Sequence, residues 1–175
     1  MEDWEWRVEG CAAASSRRTG KARFTFEWRI DSVSPLTISI MKSFSVGIVG
    51  AGAITRNIHL PVLLAMPNVR VAWLADASAN RADALGKVHG VKSLAATSPE
   101  GLPDCDVVLL AIPVGVRAAY FNALAARGAA VFTEKPFASN LAEHRRILDL
   151  FEPHRIGCGF MRRFYRGTRT VRDAL

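Results

Sequence analysis

Val46-Gly47-Ile48-Val49-Gly50-Ala51-Gly52-Ala53-Ile54-Thr55 is the run on which the reading of this chain turns. An apolar strand over 44–49 ends in two glycines separated by one residue, and a helical stretch follows at once. Gly50 permits the tight turn. Gly52 has no side chain, so a phosphate can approach the main chain there. The helix behind it offers unbonded N–H groups and the positive end of its dipole. Thr55 stands at the third fingerprint position, where Gly or Ala is usual, and is expected to cost some closeness between helix and strand. A glycine turn with no ligand is the plainer alternative, but the strand–turn–helix context favours nucleotide binding.

Outward from this turn, short apolar strands alternate with longer helical stretches. After the glycines a helix is expected to about Met66, broken at Pro61, which starts a second short piece. A second strand spans 69–75. A helix over 80–88 puts Ala82, Leu85 and Val88 on one face and stops at Gly90. A third short strand covers 91–94 and a fourth 106–112. Val116, Ala119, Tyr120, Ala123 and Leu124 form the apolar stripe of the next helix, stopped by Gly128. A fifth strand spans 129–133. Asn140 with Glu143 reads as a capping pair that opens a helix running to Phe151, with His144, Ile147, Leu148 and Phe151 inward. A sixth strand covers 155–160. Strands this apolar, alternating with helices, predict a doubly wound, six-stranded parallel α/β sheet with helices on both faces.

The 175 residues carry 23 Lys+Arg against 16 Asp+Glu, a net charge of +7. Residues 1–40 are neutral, and +4 of the total sits on the last fifteen residues, 161–175. This is a local basic tail, not a stripe, and argues against nucleic acid as a partner. Three cysteines (Cys11, Cys105, Cys158) give no disulfide framework and no metal spacing, which predicts a reducing compartment and no metal site. No apolar run reaches the length of a membrane span, and the N-terminus lacks a signal h-region, so a cytoplasmic location is expected. Periodicity is lost before residue 40. Met41 is therefore read as the natural start, with 1–40 a poorly defined extension, the alternative being a genuine segment with its own packing. The expected organisation is extension 1–40, dinucleotide-binding domain 41–160 and a linker helix beginning in 161–175.

Three further places carry chemistry. Asp76 ends the second strand, where a carboxylate accepts both ribose hydroxyls of NAD and repels the 2′-phosphate of NADP. The alternative is a helix-capping Asp. Arg81, five residues on, could meet a 2′-phosphate but is expected to face solvent, so NAD is favoured over NADP. Ile112-Pro113 ends the fourth strand, where Pro113 offers a rigid apolar wall beside a cofactor or simply terminates the strand. Glu134-Lys135-Pro136 ends the fifth strand, where an amine can bond a ribose or a substrate hydroxyl and ease proton transfer, or be half of a solvated pair.

Over 41–175 these residues resemble the Gfo/Idh/MocA oxidoreductases, named for glucose–fructose oxidoreductase, inositol dehydrogenase and a rhizopine-catabolism protein. The resemblance rests on the glycine run, His59-Leu60-Pro61, Ala75-Asp76, Pro113, Glu134-Lys135-Pro136 and Gly159-Phe160-Met161-Arg162-Arg163-Phe164. It implies a Rossmann domain in which Gly50, Gly52, Ala53 and Ile54 bind pyrophosphate and Asp76 holds the adenosine ribose. Ile112 and Pro113 would line the cofactor, with Glu134 and Lys135 at the nicotinamide ribose. Lys135 would also reach substrate, as the catalytic candidate, and the Lys135–Pro136 bond would be cis. His59 is expected to pack or cap. The family often has Thr-Pro-Asn-x-x-His after the fourth strand. Here Val114 and Arg117 replace the polar pair, which puts contacts near the nicotinamide ribose in question.

The resemblance also implies a second α/β domain that supplies substrate groups and often a dimer interface. This chain stops at Leu175, as the linking helix starts, with Thr168, Val171 and Leu175 as its inward stripe. The expected activity is therefore that of an NAD(P)-binding half of a dehydrogenase for a sugar, polyol or related hydroxyl. It would be weak or inactive as this polypeptide, would act on substrate only with a second domain supplied, and could self-associate through exposed apolar surface. A non-enzymatic nucleotide-binding regulatory or scaffold module is the competing class.

Overall fold

Phe44–Val49 forms β1 of the computed structural model, which describes residues 43–175. The expectations for 1–40 lie outside the described residues. From Val46 onward β1 is buried continuously, which suits a strand covered on both faces. β2 (Val69–Asp76), β3 (Ser93–Ala95), β4 (Val107–Leu110), β5 (Ala130–Thr133) and β6 (Ile156–Cys158) complete the sheet. Its order is β3-β2-β1-β4-β5-β6 and every neighbouring pair is parallel. This is the doubly wound arrangement. Its order reverses between β1 and β4, and ligands in such sheets occupy the crevice at the carboxyl ends of those strands.

A π-helical turn, Thr55–His59, runs directly into α1 (Leu60–Ala65). Pro61 lies in the first turn of α1, where its missing N–H costs nothing, so the expected break is a change of winding and not a gap. α2 (Ala79–His89) ends at Gly90 in the left-handed conformation. α3 (Arg117–Ala126) follows a 3-10 turn over Val114–Val116. α4 (Leu141–Leu150) is capped by Asn140, whose Oδ1 accepts the Glu143 N–H at 2.9 Å. Glu143 Oε2 reaches one residue further back, accepting the Ser139 N–H at 2.7 Å. α5 (Arg166–Asp173) leaves Val171 exposed.

The core has two layers, one on each face of the sheet. Ile48, Leu74 and Leu109 meet Leu60 of α1 and Leu85 of α2. Their strand neighbours Val49, Trp73 and Leu110 point the other way and meet Phe121 and Leu124 of α3 and Ile147 of α4.

Several expected inward residues face solvent. Val88 is 76% exposed, because Leu85 and Gly86 form the buried face of α2. Val116 is 54% exposed and Ala119 is exposed too. α3 begins one residue later than its stripe suggests, so Arg117, Tyr120, Phe121 and Leu124 face inward instead. Leu148 is 47% exposed, because Ile147 and Phe151 at helical spacing already cover the sheet. The third strand starts at Ser93 rather than Val91, the fourth is confined to 107–110, and the sixth to 156–158. No helix among the described residues is long and apolar enough to cross a membrane.

Candidate functional site

The turn after β1 is built around Gly50, whose φ is 106° and whose N–H donates to the Ala75 carbonyl at 2.7 Å. A Cβ on Gly50 would stand 2.4 Å from the Ala111 oxygen, so only glycine fits. A Cβ on Gly52 would meet nothing within 4 Å, which leaves its main chain open to a ligand. Ala53 and Ile54 follow it at the exposed start of the helix. Thr55 overturns the sequence expectation. It is fully buried, and its hydroxyl donates to the Gly50 carbonyl at 2.6 Å, tying loop to helix instead of loosening them.

Asp76 is buried at the carboxyl end of β2. Its Oδ2 accepts the Ala51 N–H at 2.8 Å, which joins β2 to the glycine loop. Its Oδ1 accepts the Ser78 N–H at 2.7 Å, a turn that leads into α2. Oδ1 also accepts Arg81 Nε at 3.2 Å and a terminal Arg81 nitrogen at 2.9 Å. Burial alone would raise the Asp76 pKa. The Ser78 and Ala51 N–H groups and the Arg81 guanidinium outweigh it and hold the carboxyl below its ordinary value. The ribose and capping readings thus describe one residue. Arg81, expected to face solvent, keeps a side chain 63% exposed but is anchored to Asp76.

A carboxylate offers about four acceptor positions, and these four N–H donors fill them. Two donors belong to the fixed main chain. A ribose diol at Asp76 therefore displaces Arg81. A crevice of about 430 Å³ joins Gly50, Gly52, Asp76, Ile112 and Pro113, with Arg81 on its border. These residues suit the phosphates, ribose and apolar flank of a dinucleotide.

Glu134 and Lys135 do not border that crevice. Glu134 is buried, and its Oε1 lies 2.8 Å from His59 Nε2. His59 also meets the Phe132 ring edge-on at 6.2 Å. So His59 packs, as expected, but it also holds the Glu134 carboxylate, and its side chain caps no helix. Lys135 is exposed, joined to Pro136 by a cis bond, and lines a separate hollow of about 420 Å³ with Gly159, Phe160 and Tyr165. The solvated-pair alternative therefore describes Lys135 but not Glu134.

Arg117 is 3% exposed. Its Nε donates to the Ile112 carbonyl at 2.8 Å, and a terminal nitrogen donates to the carbonyls of Glu134 and Pro136. It thereby ties the segment after β4 to the segment after β5. Burial lowers its pKa from the usual guanidinium value. Sequence reasoning took Arg117 for a loss of polar contacts. The overlooked signal was a basic residue next to an apolar helix stripe.

Residues 44–164 match the oxidoreductase family with an NAD-binding Rossmann fold, Gfo/Idh/MocA. The inositol 2-dehydrogenase of Rhizobium meliloti is 28% identical over 131 residues, which are 74% of this chain and 39% of that protein. A dehydrogenase structure from Chromobacterium violaceum superposes with a TM-score of 0.66 at 26% identity, over 76% of this chain and 40% of that one. The 3-ketoreductase KijD10 of Actinomadura kijaniata, solved with NADP, shares the fold with a TM-score of 0.66 at 23% identity, over 76% of this chain and 44% of that one. The chain thus spans less than half the length of the proteins it resembles. Over that span the glycine turn, the buried Asp76 and the strand order agree with the matched description, and the chain belongs to the Gfo/Idh/MocA oxidoreductase family through its NAD-binding Rossmann domain.

Proposed function

We propose that the chain holds a nicotinamide dinucleotide along the carboxyl edge of its sheet. Gly50, Gly52, Ala53 and Ile54 receive the pyrophosphate, Asp76 the adenosine ribose, and Ile112 and Pro113 flank the cofactor on its way to Glu134 and Lys135. The observation that carries this reading is the open main chain at Gly52 beside a carboxylate already hydrogen-bonded to the same loop. The parent activity is hydride transfer between the hydroxyl of a sugar, polyol or related compound and its ketone, a reading that the inositol 2-dehydrogenase relative supports.

When bound, the nicotinamide ring carries the hydride. Lys135 Nζ bonds the substrate oxygen and eases movement of its proton. Glu134, held by His59, and Arg117, bonded to the carbonyls on either side of Lys135, keep that residue in place. Among the described residues Lys135 is the one group assigned to the substrate, so the isolated polypeptide binds cofactor with little turnover, because positioning supplies much of the rate. Cys105 and Cys158, both free thiols, fit a reducing cytoplasmic setting.

The test is a calorimetric titration of the full chain with NAD⁺, followed by assay with polyols. Saturable binding with negligible NAD⁺ reduction is expected. A folded chain that binds no dinucleotide overturns the binding assignment, and brisk turnover overturns the assignment of low activity.

A further inference from the structure

A second cleft, of about 490 Å³, shares Gly52 and Arg81 with the dinucleotide crevice. It opens between the π-helical turn and α2, and Ala53, Arg56, Val88 and His89 help to line it. None of its lining residues is acidic. Arg56 is exposed, makes one side-chain bond, from Nε to Asn57 Oδ1 at 3.2 Å, and forms no ion pair among the described residues. Two guanidiniums therefore border a concave space whose floor is the open main chain at Gly52. That chemistry suits a phosphate monoester, whose oxygens accept from several guanidinium N–H groups at once.

The position selects the phosphate. Arg81 borders the cleft and also bonds Asp76, the residue assigned to the adenosine ribose. A substituent on that ribose therefore emerges beside the cleft. Asp76 is no simple barrier to it. Both its oxygens are engaged by N–H donors, and the Arg81 charge lies against it.

We propose that this cleft is a phosphate-monoester subsite for the 2′-phosphate of NADP, with Arg56 and Arg81 as its cations. This rests on the reading that the chain binds a nicotinamide dinucleotide. Arg81 is shared between two duties. The ribose diol of NAD displaces it from Asp76, whereas a 2′-phosphate draws it into the cleft beside Arg56. The chain thereby accepts both cofactors, despite the carboxylate at the end of β2.

The test titrates NADP⁺ and NAD⁺ into the full chain and into Arg56→Ala and Arg56→Lys. Arg56 is exposed, so these variants are expected to fold, and circular dichroism checks it. NADP⁺ is expected to bind wild type. Arg56→Ala weakens NADP⁺ about tenfold, the loss of one charged hydrogen bond, while NAD⁺ binding is unchanged. Arg56→Lys recovers most of that loss. If NAD⁺ binds and NADP⁺ does not, or if Arg56→Ala shifts both cofactors alike or neither, the subsite is wrong and the dinucleotide reading stands. Binding of neither cofactor to folded wild type overturns both.

Discussion

The guanidinium of Arg117 donates to the main-chain carbonyl of Glu134, seventeen residues on, and so fastens the start of α3 to the end of β5. The same side chain also serves the carbonyls of Ile112 and Pro136. Three buried or half-buried carbonyls thus depend on one residue. Arg117→Met keeps much of the volume and removes every donor. It is expected to cost about 2–4 kcal/mol in urea unfolding, with Arg117→Lys intermediate, because an ammonium cannot span all three acceptors. A Met variant as stable as wild type would show that water replaces the guanidinium.

His59 gives a second handle on the same segment. Its ring holds the Glu134 carboxylate, and Glu134 Oε2 in turn accepts the Lys135 N–H at 3.3 Å. His59→Ala is expected to weaken NAD⁺ binding more than binding of ADP-ribose, which lacks the nicotinamide. His59→Gln, which can still donate, restores part of the difference. Equal losses for both ligands would assign His59 to general packing.

Asp76 makes stability depend on acid. Its folded pKa is below its unfolded value, so its contribution is complete above about pH 4, where both states are ionised. As pH falls further the unfolded chain takes the proton first, and the contribution is lost as pH passes the folded pKa. Urea midpoints measured from pH 5 to pH 3 should fall more steeply for wild type than for Asp76→Asn. Parallel slopes would remove Asp76 from the acid response.

The sheet was legible because β1, β2, β4 and β5 are apolar runs bounded by glycine or polar turns, and burial on both faces leaves no other use for them. The Gly50–Gly52 turn and Asp76 were legible because main-chain geometry demands those residue types at that spacing. The roles of Thr55, His59 and Arg117 were not. Each depends on a partner brought close only by the folded sheet, as with His59 and Glu134, 75 residues apart. Val116 shows a different failure. An apolar stripe reports which residues share a helix face, but not where the helix begins, and a start one residue later turned Arg117 inward.

Gly50 and Gly52 separate stability from binding. Gly50→Ala forces a side chain into the Ala111 oxygen at a positive φ, so it is expected to destabilise strongly. Gly52→Ala meets no atom within 4 Å and is expected to unfold at the wild-type urea concentration. Its added methyl group occupies the space through which a pyrophosphate reaches the main chain, so NAD⁺ affinity should drop about tenfold or more. The two measurements together discriminate sharply. A Gly52→Ala chain that is both stable and unimpaired in binding would mean that the dinucleotide does not cross the loop at Gly52, because no other feature of that position could hide the methyl group from it.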